Sequence, residues 1–284
     1  MTVHPVPGTV PAVVAVCVAV CLAACAAYLS AAARLRRRGD AWPWRRDCAF
    51  VAGGAVLVWG WCGWVPGGPF TAHSVRHLLV AMTGPVLLVV ARPLTLALRA
   101  LPPGGPRRGV LRAAHSAPVR WLLCPPVAAV VDVGGLWLLY RTELLSHAHH
   151  HPALSGAVDL HMPAAGLLFS FAVCQVDPVR RGWGLPLRAA TLLAAGAAHA
   201  VLAKSLYATG PPGTRFEAHD LRLGAQVMYY GGDAVDVALA LVLAVQWYAV
   251  TGRRHARTTA RSGYGAGPAG SGGRRLRETT RSRP

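Results

Sequence analysis

Residues Thr71–Leu94 read TAHSVRHLLVAMTGPVLLVVARPL. No charged side chain falls between Leu78 and Ala91. With its flanks the run approaches the ~20 apolar residues that cover ~30 Å of hydrocarbon at 1.5 Å per residue. Lipid offers the backbone no partners, so the expected form is a helix that satisfies its own N–H and C=O groups. The Gly84-Pro85 pair is tolerated more readily in such a helix than in a soluble one. The polar start is unusual, with His73, Arg76 and His77 at one end of the run.

The rest of the chain has the same character. Of its 284 residues, 54% are hydrophobic and only 14% charged, where a soluble domain carries about a quarter. Runs of suitable length recur at about 10–33, 48–65, 72–92, 119–140, 155–175, 187–209 and 223–250. The prediction is therefore all-α: a polytopic membrane protein with a bundle of about seven transmembrane helices over residues 1–250. Residues 251–284 are rich in Arg, Gly and Ser without an apolar period, and are expected to form a disordered basic tail. The run over 10–33 is expected to be a retained helix rather than a cleaved signal. No Lys or Arg precedes it and a dense Arg cluster follows it.

The net charge of +18 does not point to nucleic acid. The 28 Arg and single Lys cluster in short segments between apolar runs, and RNP, zinc-finger and P-loop patterns are absent. The seven Cys include no CxxC pair, which argues against a disulfide framework or a zinc ribbon. Arg placement also predicts orientation. The segments 34–47, 93–118 and 176–186 and the tail are Arg-rich, whereas 66–71, 141–154 and 210–222 are not. With seven spans, the positive-inside rule puts the N-terminus outside and the C-terminus in the cytoplasm.

That orientation gives the histidines meaning. Nine of the twelve then lie on the extracytoplasmic side or at mid-membrane: His73, His77, His147, His149, His150, His151, His161, His199 and His219. His73 and His77 stand four apart, so both rings share one helix face and can converge on an ion. Imidazole suits copper, zinc, iron and nickel. Two interfacial histidines bonded to backbone would look the same in sequence. Asp159, His161 and Met162 open the fifth span, and His beside Met suits copper because thioether is a soft ligand; a helix start with a gap-filling Met is the plainer alternative. Met82 lies five residues from His77, about 140° around an α-helix, and is expected off that face. Met228 lies near the polar start of the last span, where Gln226, Tyr229, Asp233 and Asp236 form one stripe. Ionisable groups within a span, Asp132 included, face a bundle interior or wet cavity. Cys17, Cys21 and Cys25 make a one-face thiol stripe on the first span: either small packing residues or a Cu(I) relay.

Four stretches carry a resemblance. They are AHSVRHLLVAMTGPVLLVVARPLTLALRALP (Ala72–Pro102), HPALSGAVDLHMPAAGLLFSFAVCQVDP (His151–Pro178), AAHAVLAKSLYATG (Ala197–Gly210) and DLRLGAQVMYYGGDAVDV (Asp220–Val237). Together they resemble the CtaG-type, caa3-oxidase-associated assembly proteins of bacterial cytochrome c oxidase. The chain departs from that pattern at Asp159-Leu160-His161, where the family has His-x-His, and at Arg222, Tyr229 and Asp233, where Gln, Trp and Glu are usual. The resemblance implies a non-catalytic, multi-pass protein of the bacterial cell membrane, handling copper for an oxidase subunit with outward-facing copper. Carried onto this chain, His73, His77, His161, His199, Met162 and Met228 would be metal ligands. Asp159, Asp220, Tyr229, Asp233 and Asp236 would orient them. Two rival readings remain: a copper or cation transporter using Asp132, His199, Asp233 and Asp236, and a membrane di-metal oxidase built on His73, His77 and HAHHH (147–151).

Overall fold

Proline decides how the central segment is built. Pro85 has no N–H, so it cannot bond the carbonyl of Ala81 as the next turn of an α-helix would. In the computed structural model the chain responds with a π-helical turn, Leu78–Thr83, in which the Gly84 N–H reaches back five residues to the Leu79 carbonyl. The single helix expected over 72–92 is thus α3 (Pro69–His77), the π turn and α4 (Gly84–Val90), joined as one interrupted rod.

The structure describes residues 10–177 and 182–264, all of whose regular elements are helical. Two helices precede the rod, α1 (Val10–Arg37) and α2 (Trp44–Cys62). Short helices α5 (Pro93–Ala100) and α6 (Gly105–Ala114) occupy what reads as a loop in sequence, and a third, α7 (Ala117–Leu122), takes the expected start of the fourth span. Then come α8 (Pro125–Arg141), a short α9 (Leu144–His150), α10 (Pro152–Cys174), α11 (Leu185–Ala208) and α12 (Ala218–Tyr264). Five stretches are long and apolar enough to cross a membrane: Ala12–Arg37, Pro69–Val90, Pro152–Cys174, Leu185–Ala208 and Ala218–Gly252. The other two expected spans fall on α2 and α8. The 19 residues of α2 include Arg45, Arg46 and Asp47 in the first turn, and α8 has 17 residues, about 25 Å of helix. Residues up to Leu243 form one compact unit, and a second begins at Ala244. α12 stays helical to Tyr264; the rest of the expected tail lies outside the described residues.

Within the first unit the rod is the hub. Both α2 and α10 pack on it; α10 also meets α8, α8 meets α11, and α1 rests on α2 and α5. One apolar core unites Phe70, Val80, Tyr140, Met162, Leu202 and Met228. A second gathers Val89, Phe169, Val173, Leu192 and Leu239. In a third, Tyr28 stacks on Phe50 with ring centres 4.0 Å apart and donates its hydroxyl to the Ala91 carbonyl at 2.8 Å. Association of helices in lipid relies on close backbone approach rather than on exclusion of water, which favours small residues at contacts. Gly166 of α10 is such a contact: a Cβ there would run into the Ala81 carbonyl, the oxygen that Pro85 leaves without its α-helical donor.

Three buried side chains close the exposed ends of helices from a distance. Asp220, at the start of α12, accepts the backbone N–H groups of Phe70 (2.8 Å) and Thr71 (3.0 Å), the first turn of α3. Asp177, just past α10, accepts those of Leu94 (3.2 Å) and Thr95 (2.8 Å), the first turn of α5. The two acceptor sites share a pattern, Pro69-Phe70-Thr71 and Pro93-Leu94-Thr95, with proline at the first helical position, where its missing N–H costs nothing. A carboxylate at each helix start also complements the helix dipole. At the C-terminal end of α10, Arg188 donates through one guanidinium nitrogen to the carbonyls of Val173 (2.9 Å) and Cys174 (3.1 Å).

Candidate functional site

His77 ends α3 at the first residue before the π turn, and that position buries it. Its side chain is 1% exposed, and His199 of α11 opposite it is 3% exposed. The two rings lie 5.9 Å apart, centre to centre, and are tilted by 28°. Among the described residues, neither nitrogen of His77 nor Nε2 of His199 has a hydrogen-bond partner. Leaving a buried polar atom unpaired costs about 1–3 kcal/mol, so three such atoms on two neighbouring rings mark a site with a purpose beyond packing. α12 makes room for His199 through Gly232, where a Cβ would strike the imidazole.

Two cavities meet at His77. The smaller, about 20 Å³, is bounded by His77, His199, Met82, Asp132 and Asp236. The larger, about 250 Å³, lies along α8 and α10 and is lined by His77, Asp132, His161 and Met162 among apolar side chains. His161 is exposed and its ring packs against Gly135 of α8. Met162 beside it is buried.

The other predicted residues are dispersed. His73 is half-buried, with its ring edge-on to Tyr140 at 5.7 Å. It shares a helix with His77 but lines neither cavity. Met228 is fully buried in the first apolar core, not in a cavity wall. Asp159 is half-buried in the neighbourhood of Arg76 and Cys17. Asp220 is the cap of α3, so it positions the helix that carries His73 and His77. Tyr229 lies apart, with the Lys204 ammonium 5.2 Å from its ring centre, in a pocket shared with Tyr207 and Gln226. Asp236 lines the small cavity, its carboxylate close to Gly196 of α11, and Asp233 lies in the neighbourhood of His199. Among the described residues, no group of three or more His, Cys, Asp or Glu is placed to hold a metal ion.

Met82 corrects an expectation. On a continuous α-helix it would point some 140° away from His77. The π turn bonds residues five apart, which brings positions separated by five toward one face, and Met82 lines the small cavity with both buried imidazoles. The signal for this was in the sequence, in the proline three residues after Met82, but its effect on register was not. Of the three thiols on α1, Cys21 and Cys25 line a groove of about 530 Å³ with Cys62 and Trp59 of α2. Cys25 packs directly on Gly54.

The sequence matches a family model described as cytochrome c oxidase caa3 assembly factor (Caa3_CtaG) over residues 26–249. Uncharacterized proteins of Mycobacterium bovis and Mycobacterium tuberculosis are each 32% identical to it over 188 residues, which is 61% of this chain and 28% of theirs. An uncharacterized protein of Mycobacterium leprae is 30% identical over 160 residues, 53% of this chain and 24% of its own. The chain thus spans about a quarter of the length of these relatives. No solved structure matches it.

Proposed function

The chain belongs to the cytochrome c oxidase caa3 assembly factor family, and from that premise we propose that it is a multi-pass membrane protein that binds or delivers copper while a terminal oxidase is assembled. α2 and α8 complete the seven spans of this reading. The Arg-rich segments then face the cytoplasm, and His73, His77 and His161 lie toward the extracytoplasmic face. The protein acts without catalysis: it presents a metal as cargo to an oxidase subunit whose copper faces outward.

One observation carries the reading. His77 is buried with both ring nitrogens unpaired, beside a second buried imidazole. A bundle interior has no structural use for three buried ring nitrogens left without partners, whereas a transient metal site needs donors held ready and unoccupied. The imidazoles fit a copper cargo, and His161, at the larger cavity, supplies a third donor on the route between them and the surface. Met162 adds a thioether to that cavity.

The test is a strain lacking the protein, complemented with wild type or with the His73→Ala, His77→Ala double variant. Copper per oxidase and cytochrome c oxidation are measured in isolated membranes. The double variant should reach the membrane in normal amount yet leave the oxidase copper-deficient, with activity down at least tenfold. Wild-type oxidase activity in that strain would refute the proposal.

A further inference from the structure

The small cavity defines a more specific ligand than imidazole alone. Any metal between His77 and His199 has no third His, Cys, Asp or Glu in coordinating position among the described residues. Zinc and iron sites usually draw on such donors, with four or more ligands. Beside the carboxylates of Asp132 and Asp236, which form no metal-holding group with the two imidazoles, the cavity offers the thioether of Met82, a soft ligand that selects Cu(I). The ring separation of 5.9 Å suits one ion shared by two imidazoles, since two nitrogens each about 2 Å from a metal leave ring centres roughly 6 Å apart. The cavity volume of about 20 Å³ holds one ion- or water-sized occupant and little more. Burial favours a monovalent ion as well, because the Born cost of taking an ion out of water rises with the square of its charge.

We propose that His77, His199 and Met82 form a three-coordinate Cu(I) site, loaded through the crevice between α8 and α10 with His161 as the first ligand met. This rests on the assembly reading above and sharpens it. His73 and Met228 fall outside the ligand set, and Met82 joins it. His77 borders both cavities, so an ion passing from His161 inward exchanges one imidazole for the next without leaving coordinating groups. The oxidation state does not change; each step forms one bond to copper as another breaks.

The full chain, purified in detergent under anaerobic conditions, is titrated with Cu(I) against bicinchoninate and examined by X-ray absorption at the copper edge. Wild type should bind one Cu(I) with two nitrogen neighbours and one sulfur. Met82→Leu should lose the sulfur signal and weaken binding at least tenfold while its thermal unfolding stays at the wild-type temperature. His161→Ala should keep the wild-type affinity but load several-fold more slowly. A wild-type chain that binds no Cu(I), or a Met82→Leu chain with wild-type affinity and spectrum, would overturn the site. Unchanged loading in His161→Ala would overturn the route. The family reading fails separately: if deleting the gene leaves the oxidase fully assembled, the assembly role is wrong even where Cu(I) binds as described.

Discussion

Gly166→Val is expected to separate α10 from the rod it packs on. A Cβ at this position collides with the Ala81 carbonyl, and backbone cannot swing aside as a side chain tip can. Overpacking in a core costs typically 1–3 kcal/mol. With an immovable obstacle and two further methyl groups, the loss should reach about 3 kcal/mol. α10 holds His161 and Met162 over the larger cavity, so the damage should not stay local. Thermal unfolding in detergent should show a transition many degrees lower, and the purified variant should lose its single size-exclusion peak. Ala at the same position should give an intermediate result. A Gly166→Val chain that unfolds at the wild-type temperature would mean that α10 and the π turn do not meet as described.

Asp220→Ala comes second in size. It strips two acceptors from a buried helix start, leaving the N–H groups of Phe70 and Thr71 unpaired. Loss of a helix cap costs about 0.5–2 kcal/mol, and hydrogen bonds to a charged group contribute about 1.5–3 kcal/mol. A combined loss of about 3 kcal/mol is the reasonable expectation. Asp220→Asn keeps one carbonyl acceptor and should lose roughly half as much. The same pair of substitutions at Asp177 should rank the same way, because that carboxylate serves α5 through the same two backbone positions. Hydrogen exchange at Phe70 and Thr71 should quicken in the Asp220 variants and leave Leu94 and Thr95 unaffected.

Much of the fold is legible in the sequence for a simple reason. Lipid imposes one strong rule, that backbone groups be satisfied within the segment, and five apolar runs obey it openly. Where other physics competes, the reading blurs. Arg45, Arg46 and Asp47 shorten the apolar part of α2, and Pro125 starts α8 late. The His77–His199 pair was half legible. Spacing put His77 on a polar helix end, but nothing local shows that a ring on α11, 122 residues later, lies against it. The four stretches that carry the family resemblance converge on the rod and on α5, which follows it. His77 belongs to the first stretch, Asp177 closes the second, His199 centres the third and Asp220 opens the fourth. Asp177 and Asp220 proved to be caps, a role that spacing cannot reveal because their partners lie 82–83 and 149–150 residues away. α-Helical pitch turns Met82 away from His77, whereas the wider turn before Pro85 brings it to the same cavity.

The two caps also bear on the π turn. A turn with five-residue bonding holds surplus chain for its rise, and in a free helix that surplus can slide, bond by bond, until it leaves at a fraying end. Here neither end is free. Asp220 ties the rod at Phe70 and Thr71, and Asp177 ties the chain that leaves it at Leu94 and Thr95, so the slack is like a kink in a rope made fast at both ends. It can be straightened only by letting go of one mooring.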